Sequence, residues 1–124
     1  MTCRGIRGAI SVTADEAELI TAATRDLLQQ IVAANHLVVE EVASVTFTAT
    51  PDLTTASPAR AARDMGWRNT PLLCMQEMQV DGGLPRCIRV LIHWNTDRPP
   101  HRIRHVYLGT ARSLRPDLAE GGGT

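Results

Sequence analysis

The sequence predicts an α/β (α+β) fold: a five-stranded mixed sheet with one long and one short helix, in the order β-α-β-α-β-β-β. Three observations predict it. One stretch near the N-terminus repeats apolar residues at steps of three and four, the period of a helix with one buried face. Five other stretches are short and set off by Gly, Pro, Asn or Asp, and one of them, Val42 to Thr50, is rich in Val, Thr and Phe. The chain of 124 residues has room for one domain, which at this size buries roughly two-thirds of the surface its unfolded chain exposes.

Taken in order, residues 3–10 form the first strand, punctuated by Gly5 and Gly8. Thr13 and Glu16 have the spacing of a capping box and open the long helix. Along it Ile20, Ala23, Leu27, Ile31 and Ala34 make the apolar stripe, Asp15, Glu16 and Glu18 complement the helix dipole, and Asn35-His36 ends it. Val42 to Thr50 is the second strand, stopped by Thr50-Pro51-Asp52. Ser57-Pro58 is an N-cap followed by proline in the first turn, so Ala59 to Met65 is the short helix, ending at Gly66. A third strand covers 71–78, and Asp81-Gly82-Gly83 is a turn. The fourth, from Arg86 to Asn95, places Ile88, Val90, Ile92 and Trp94 on one face. Ile103 to Ala111 is the fifth. The domain is expected over 1–115, with a mobile C-terminal tail over 116–124 ending in Gly-Gly-Gly-Thr.

Composition narrows the function classes. The apolar fraction is 44% but the aromatic fraction only 3%, so the core must be aliphatic. The formal net charge is zero, which argues against binding nucleic acid through bulk charge. All 13 basic residues are arginine, so any site that needs a cation must use a guanidinium, whose fork of donors suits carboxylates. Cys3, Cys74 and Cys87 are odd in number and lack C-x-x-C spacing, as expected of reduced thiols in the cytoplasm. No signal-peptide pattern or membrane-length apolar run is present. No histidine or cysteine spacing suits a metal, and no phosphate-binding glycine loop or G-x-S-x-G occurs, so no metal, cofactor or serine nucleophile is expected.

One long helix can cover one face of a five-stranded sheet and leaves the other, still partly apolar, to pack against another chain. An oligomer follows from that count. Within the strands, Arg89 stands in the middle of Arg86-Cys87-Ile88-Arg89-Val90-Leu91-Ile92, where a charge must meet a carboxylate or an anionic ligand. Tyr107, the single tyrosine, shares a strand face with His105 and Ile103, as a half-buried strand residue or a ligand contact. Cys74 and Glu77 lie three apart and point to opposite faces of a regular strand, so they serve one pocket only if the strand bends or two subunits each contribute one. Arg60 and Arg63, at i and i+3 of the short helix, are a solvated charged face or, beside the helix N-terminus, an anion site.

Six segments together resemble one family. Arg4-Gly5-Ile6-Arg7-Gly8-Ala9, Ala49-Thr50-Pro51-Asp52-Leu53, Cys74-Met75-Gln76-Glu77-Met78, Cys87-Ile88-Arg89-Val90, Arg104-His105-Val106-Tyr107-Leu108 and Leu114-Arg115-Pro116-Asp117-Leu118 are similar, in order and nearly in spacing, to the AroH-type monofunctional chorismate mutases. The resemblance implies a homotrimer whose three sheets form a pseudo-α/β barrel, with active sites in the clefts between subunits. It implies the [3,3] rearrangement of chorismate to prephenate in phenylalanine and tyrosine biosynthesis, with no cofactor. By the same resemblance Arg89 holds the ether oxygen of the breaking bond and a carboxylate. Arg7 and Tyr107 hold a carboxylate, Glu77 and Cys74 contact the ring hydroxyl, and Arg63 and Arg115 lie near the entrance. Ser57, Ala59, Arg60, Leu72, Leu73 and Leu114 complete the implied substrate-binding set. The chain departs from the family at Arg60, usually lysine, at Ser57, usually bulky and apolar, at Leu73, often threonine, and by one residue deleted before Gly66. These departures bear on pocket shape and affinity. Two other readings are a trimeric enamine/imine deaminase, which the Cys74–Met78 and Arg104–Leu108 segments fit poorly, and a carboxylate-binding trimer without turnover.

Overall fold

A computed structural model describes residues 2–117. Its five strands are β1 (Cys3–Ser11), β2 (Val42–Ala49), β3 (Leu72–Gln76), β4 (Cys87–Asn95) and β5 (Val106–Leu108), and its helices are α1 (Ala17–Asn35) and α2 (Ala59–Asp64). The sheet order is β3-β2-β4-β1-β5. β4 pairs antiparallel with β1 and β2, while the two edge strands run parallel to their neighbours, β3 to β2 and β5 to β1. The sheet is therefore mixed, as expected.

Both helices lie on one face. The core between them and the sheet joins Ile20, Leu27, Leu28 and Ile31 of α1 and Ala59 and Ala62 of α2 to Ile6, Val45, Phe47, Ile88, Val90 and Ile92. α1 can approach this closely because β1 carries glycine beneath it. A Cβ on Gly8 would stand 2.8 Å from Ile31 Cδ1, 3.0 Å from Val90 Cγ1 and 3.2 Å from Leu27 Cδ1. Among the described residues neither α-helix lies over the other face, which exposes Leu73, Met75 and Leu91 at 57%, 51% and 38%. Among the described residues no helix is long and apolar enough to cross a membrane.

Five expectations are corrected. The Thr13–Glu16 capping box does not form: α1 starts at Ala17, and Glu16 is its extended N-cap with no side-chain cap bond. Asp15 is instead drawn away to Thr54 and Thr55, whose backbone N–H and hydroxyl groups all donate to its carboxylate at 2.8–3.1 Å. The stripe of α1 rotates to bury Thr24 and Asn35 and leaves Ala34 exposed. Both polar side chains are satisfied by carbonyls one turn back, Thr24 by Ile20 and Asn35 by Ile31. Ser57 does not cap α2, because its hydroxyl meets Cys74 Sγ at 3.1 Å.

The largest difference is β5, expected over 103–111 and observed over three residues. Asn35 occupies both backbone groups of Arg104, donating to its carbonyl at 3.0 Å and accepting its N–H at 2.8 Å. Gly109, at φ +60°, then turns the chain into a 3-10 segment over Gly109–Leu114. The alternation expected from Ile103 to Tyr107 fails for the same reason. Ile103 joins the core under α1 with Val106, while Tyr107 packs with Ala9, Cys87 and Ala111 in a second cluster. The expected mobile tail lies, from residue 118 onward, outside the described residues.

Candidate functional site

β4 alternates strictly: Ile88, Val90, Ile92 and Trp94 are buried, and Arg89 points to the helix-free face with its side chain 47% exposed. A strand with one buried face presents every second residue to the other, so this arginine reaches the surface instead of the core. Its Nε lies 3.3 Å from Glu77 Oε1, and the same oxygen accepts the Thr48 hydroxyl at 2.7 Å. Glu77 follows directly after β3 and is anchored there by its own N–H on the Ala49 carbonyl at 2.8 Å. The pair is half in solvent, so it orders the two side chains more than it stabilises the fold.

The rest of this group comes from β1, β5 and the segment after it. Tyr107 lies beside Ala9 in the parallel register and is 9% exposed. Burial pushes its phenol above the ordinary value of 10.0, against the pull of Arg7, Arg115 and Arg89, so it remains a neutral donor at physiological pH. That three guanidinium groups act on this one phenol brings Arg7, Arg89 and Arg115 into its neighbourhood. Arg115 is held by Asp117 at 3.0 Å, and Leu114 packs on the cluster around Tyr107 and Cys87. Cys87 sits below Arg89 at 3% exposure, where burial raises its thiol above 9.0 and keeps it protonated. A cavity of about 740 Å³ opens here, with Thr50, Asp52, Glu77, Leu84, Cys87 and Arg89 in its walls.

The remaining candidates gather at the opposite edge. Cys74 pairs in register with Phe47, hence on the helix-bearing side, and meets Ser57, while Glu77 turns to Thr48 and Arg89 on the other side. The opposed directions expected for Cys74 and Glu77 are what the strand produces. Arg60 and Arg63 are exposed on α2, with Arg60 Nε 4.0 Å from Asp64, and Leu73 is exposed on β3, on the sheet face away from α2. Ala59 and Leu72 pack into or against the core under α1. One chain thus brings Arg7, Glu77, Arg89, Tyr107, Leu114 and Arg115 together and keeps them apart from Ser57, Ala59, Arg60, Arg63, Leu72, Leu73 and Cys74.

Three supports escaped the sequence reading. Thr48 orients Glu77, and its signal was the run Val45-Thr46-Phe47-Thr48, whose threonines alternate with core residues. Asp52 grips the start of β4: both carboxylate oxygens accept the Arg86 N–H, at 2.9 and 3.2 Å, and hold that residue at φ +49°. Thr50 adds its hydroxyl to the Cys87 N–H at 2.9 Å. Residue chemistry alone marks Asp52 as a strand stop, because its partner lies 34 residues away.

Chemically, the arrangement can bind a small carboxylate-rich molecule by guanidinium forks and a phenol. It offers one carboxylate already held by two donors and one protonated, buried thiol, and neither is set up as a base or nucleophile. Among the described residues no group of three His, Cys, Asp or Glu side chains is placed to hold a metal ion.

Comparisons with known proteins agree with this geometry. The family model for chorismate mutase type I matches residues 3–118. Chorismate mutase AroH of Thermus thermophilus is 56% identical over 116 residues, 93% of this chain and 95% of that protein. Chorismate mutase AroH of Bacillus subtilis is 48% identical over 120 residues, 96% and 94% of the two chains. A solved structure of a chorismate mutase from Clostridium thermocellum superposes with a TM-score of 0.88 at 46% identity, covering 90% of this chain and 99% of that one. With the matched segment spanning every strand and both half-sets of candidate residues, the chain belongs to the type I chorismate mutase family.

Proposed function

We propose that this chain rearranges chorismate to prephenate in a site completed between the subunits of a homotrimer, and that it does so in the cytoplasm, where Cys3, Cys74 and Cys87 stay reduced. The observation that carries the reading is the cluster on the helix-free face. Arg89, Arg7 and Arg115 surround a neutral phenol beside Glu77, with no activated nucleophile or base. A [3,3] shift moves six electrons within one molecule and needs no proton transfer, covalent intermediate or cofactor. It needs chorismate, a dianion, held in its compact diaxial form, and it needs positive charge where the lengthening C–O bond leaves the ether oxygen negative.

In this reading Arg89 donates to that oxygen and to a carboxylate. Being fixed before reaction, it stabilises the transition state more than the ground state. Arg7 and the Tyr107 hydroxyl hold a carboxylate, and Glu77, oriented by Thr48, accepts the ring hydroxyl. Cys74 and Ser57, with Ala59, Leu72 and Leu73, supply the facing wall from the neighbouring subunit. Arg60, Arg63 and Arg115 draw in the dianion, and Leu114 closes over it. The sheet order supports assembly in this sense, because β3 and β5 are opposite edges. Laying the β3 edge of one chain against the β5 edge of the next unites the two half-sets, and repeating that head-to-tail contact closes a ring. The exposed Leu73, Met75 and Leu91 are then covered.

The test mixes purified protein with chorismate and follows the loss of its absorbance, beside an Arg89→Ala control, with sedimentation equilibrium for the mass of the assembly. Turnover lost in the control and a mass of three chains are expected. Absence of both turnover and chorismate binding refutes the assignment. Tight binding without turnover would leave a carboxylate-binding assembly in its place.

A further inference from the structure

His105 has no part in the chemistry described above, yet its ring completes the backbone of β1. The β1–β5 pairing begins at Gly8 and Val106, and one residue earlier the Arg7 N–H needs an acceptor from the segment leading into β5. The Arg104 carbonyl is turned toward Asn35. The acceptor is instead His105 Nδ1, 2.9 Å from the Arg7 nitrogen. A ring nitrogen that accepts cannot carry a proton, so the imidazole is neutral with its hydrogen on Nε2.

We propose that His105 is a positioning residue for Arg7: its neutral imidazole holds the Arg7 backbone, and with it the carboxylate-binding guanidinium, while a proton on Nδ1 releases both. This rests on the reading of Arg7 as a substrate contact. Protonation turns the acceptor into a donor facing another donor, so the bond is lost outright instead of weakened. It also places a fourth positive charge beside three groups that are already cationic. On β1 the ring faces Arg7 and, across a shared cavity of about 360 Å³, Arg4 and Cys3. Beyond β5 it faces Arg115, which carries Asp117 as its own partner. The other walls of that cavity are Gly5, Leu91, Pro100 and Ile103, and no carboxylate lines it. Burial first, then Arg7 and Arg115, push the ring below the ordinary 6.5, which keeps it neutral at physiological pH. Because β5 has three residues and carries Tyr107, loosening its leading end disturbs both carboxylate contacts together.

The proposal separates His105→Asn from His105→Leu. Asparagine places Oδ1 near the position of Nδ1 and cannot titrate, whereas leucine leaves the Arg7 N–H without an acceptor. In the wild-type protein, KM for chorismate should rise as the pH falls below the histidine range, with kcat at saturation changing far less. His105→Asn should keep the neutral-pH KM and lose that rise, and His105→Leu should raise KM about tenfold at every pH, the cost of an unpaired N–H. Nitrogen-15 shifts of the imidazole in the native protein give a readout free of any variant or substrate. They should report the Nε2–H form and a pKa below 6.5. An Nδ1–H form, a pKa at or above that value, or equal KM defects in the two variants overturns the proposal. Absence of turnover in the wild-type protein instead overturns the chorismate reading and leaves the nitrogen shifts to judge His105.

Discussion

Replacing Arg89 with lysine tests the mechanism with charge held constant. In the structure Arg89 uses Nε on Glu77, at 3.3 Å, its guanidinium also meets the Cys87 thiol, and it lines the cavity. A lysine brings one ammonium in place of that fork, so it can stay with Glu77 or reach the ether oxygen but not span both. Losing one preorganised donor to developing negative charge costs about 3–4 kcal/mol, so kcat should fall roughly 10²–10³-fold. KM should move by no more than about threefold, because the overall attraction for the dianion remains. The pair is half exposed and contributes at most about 1 kcal/mol to folding, so the urea midpoint should barely shift. The assay is the initial rate of chorismate disappearance across a range of concentrations, with urea unfolding of the same preparations. A lysine variant with kcat within about threefold of wild type would falsify the role given to Arg89, whatever its stability.

Two further outcomes test the fold around the site. Gly8→Ala should destabilise the protein by about 1–3 kcal/mol in urea unfolding, since its Cβ meets Ile31, Val90 and Leu27 at 2.8–3.2 Å and α1 must lift to admit it; an unchanged midpoint would mean that α1 is not seated as described. Desolvation raises the Asp15 carboxyl, but the bonds from Thr54 and Thr55 outweigh it and hold the group below its ordinary 3.8. Between the two values the unfolded chain binds a proton that the folded chain does not, so this stability is complete above 3.8 and is lost as pH falls through the lowered value. Stability measured by urea across pH 2–6 should therefore fall less steeply at the acid end in Asp15→Asn than in wild type, and identical slopes would count against the clasp.

The candidate residues were legible where they stand out against a regular background. Arg89 interrupts an apolar strand, and the alternation of β4 sends it to the helix-free face without any knowledge of its partners. Cys74 and Glu77 are likewise separated by strand geometry alone, and they do turn to Ser57 and to Arg89 on opposite sides. The six matching segments added the family, which single-residue chemistry could not name. What remained hidden depends on pairs far apart in the chain. Asp15 looked like part of a helix start until Thr54 and Thr55 drew it 39 and 40 residues away. Asp52 looked like a turn until it gripped Arg86.

The sequence by itself determined five strands, a long helix for one face of their sheet, an aliphatic core and arginine as the cation any site must use. Each of these follows from periodicity and composition, which act over neighbouring residues. Only the tertiary structure decided where β5 begins and ends, which cations surround Tyr107, and that a histidine ring accepts the Arg7 N–H. The reason is physical. A backbone group left without a ladder partner must be satisfied by whatever the fold brings within about 3 Å. At Arg104 that is Asn35 from the end of α1, and at Arg7 it is His105 from the far side of the chain.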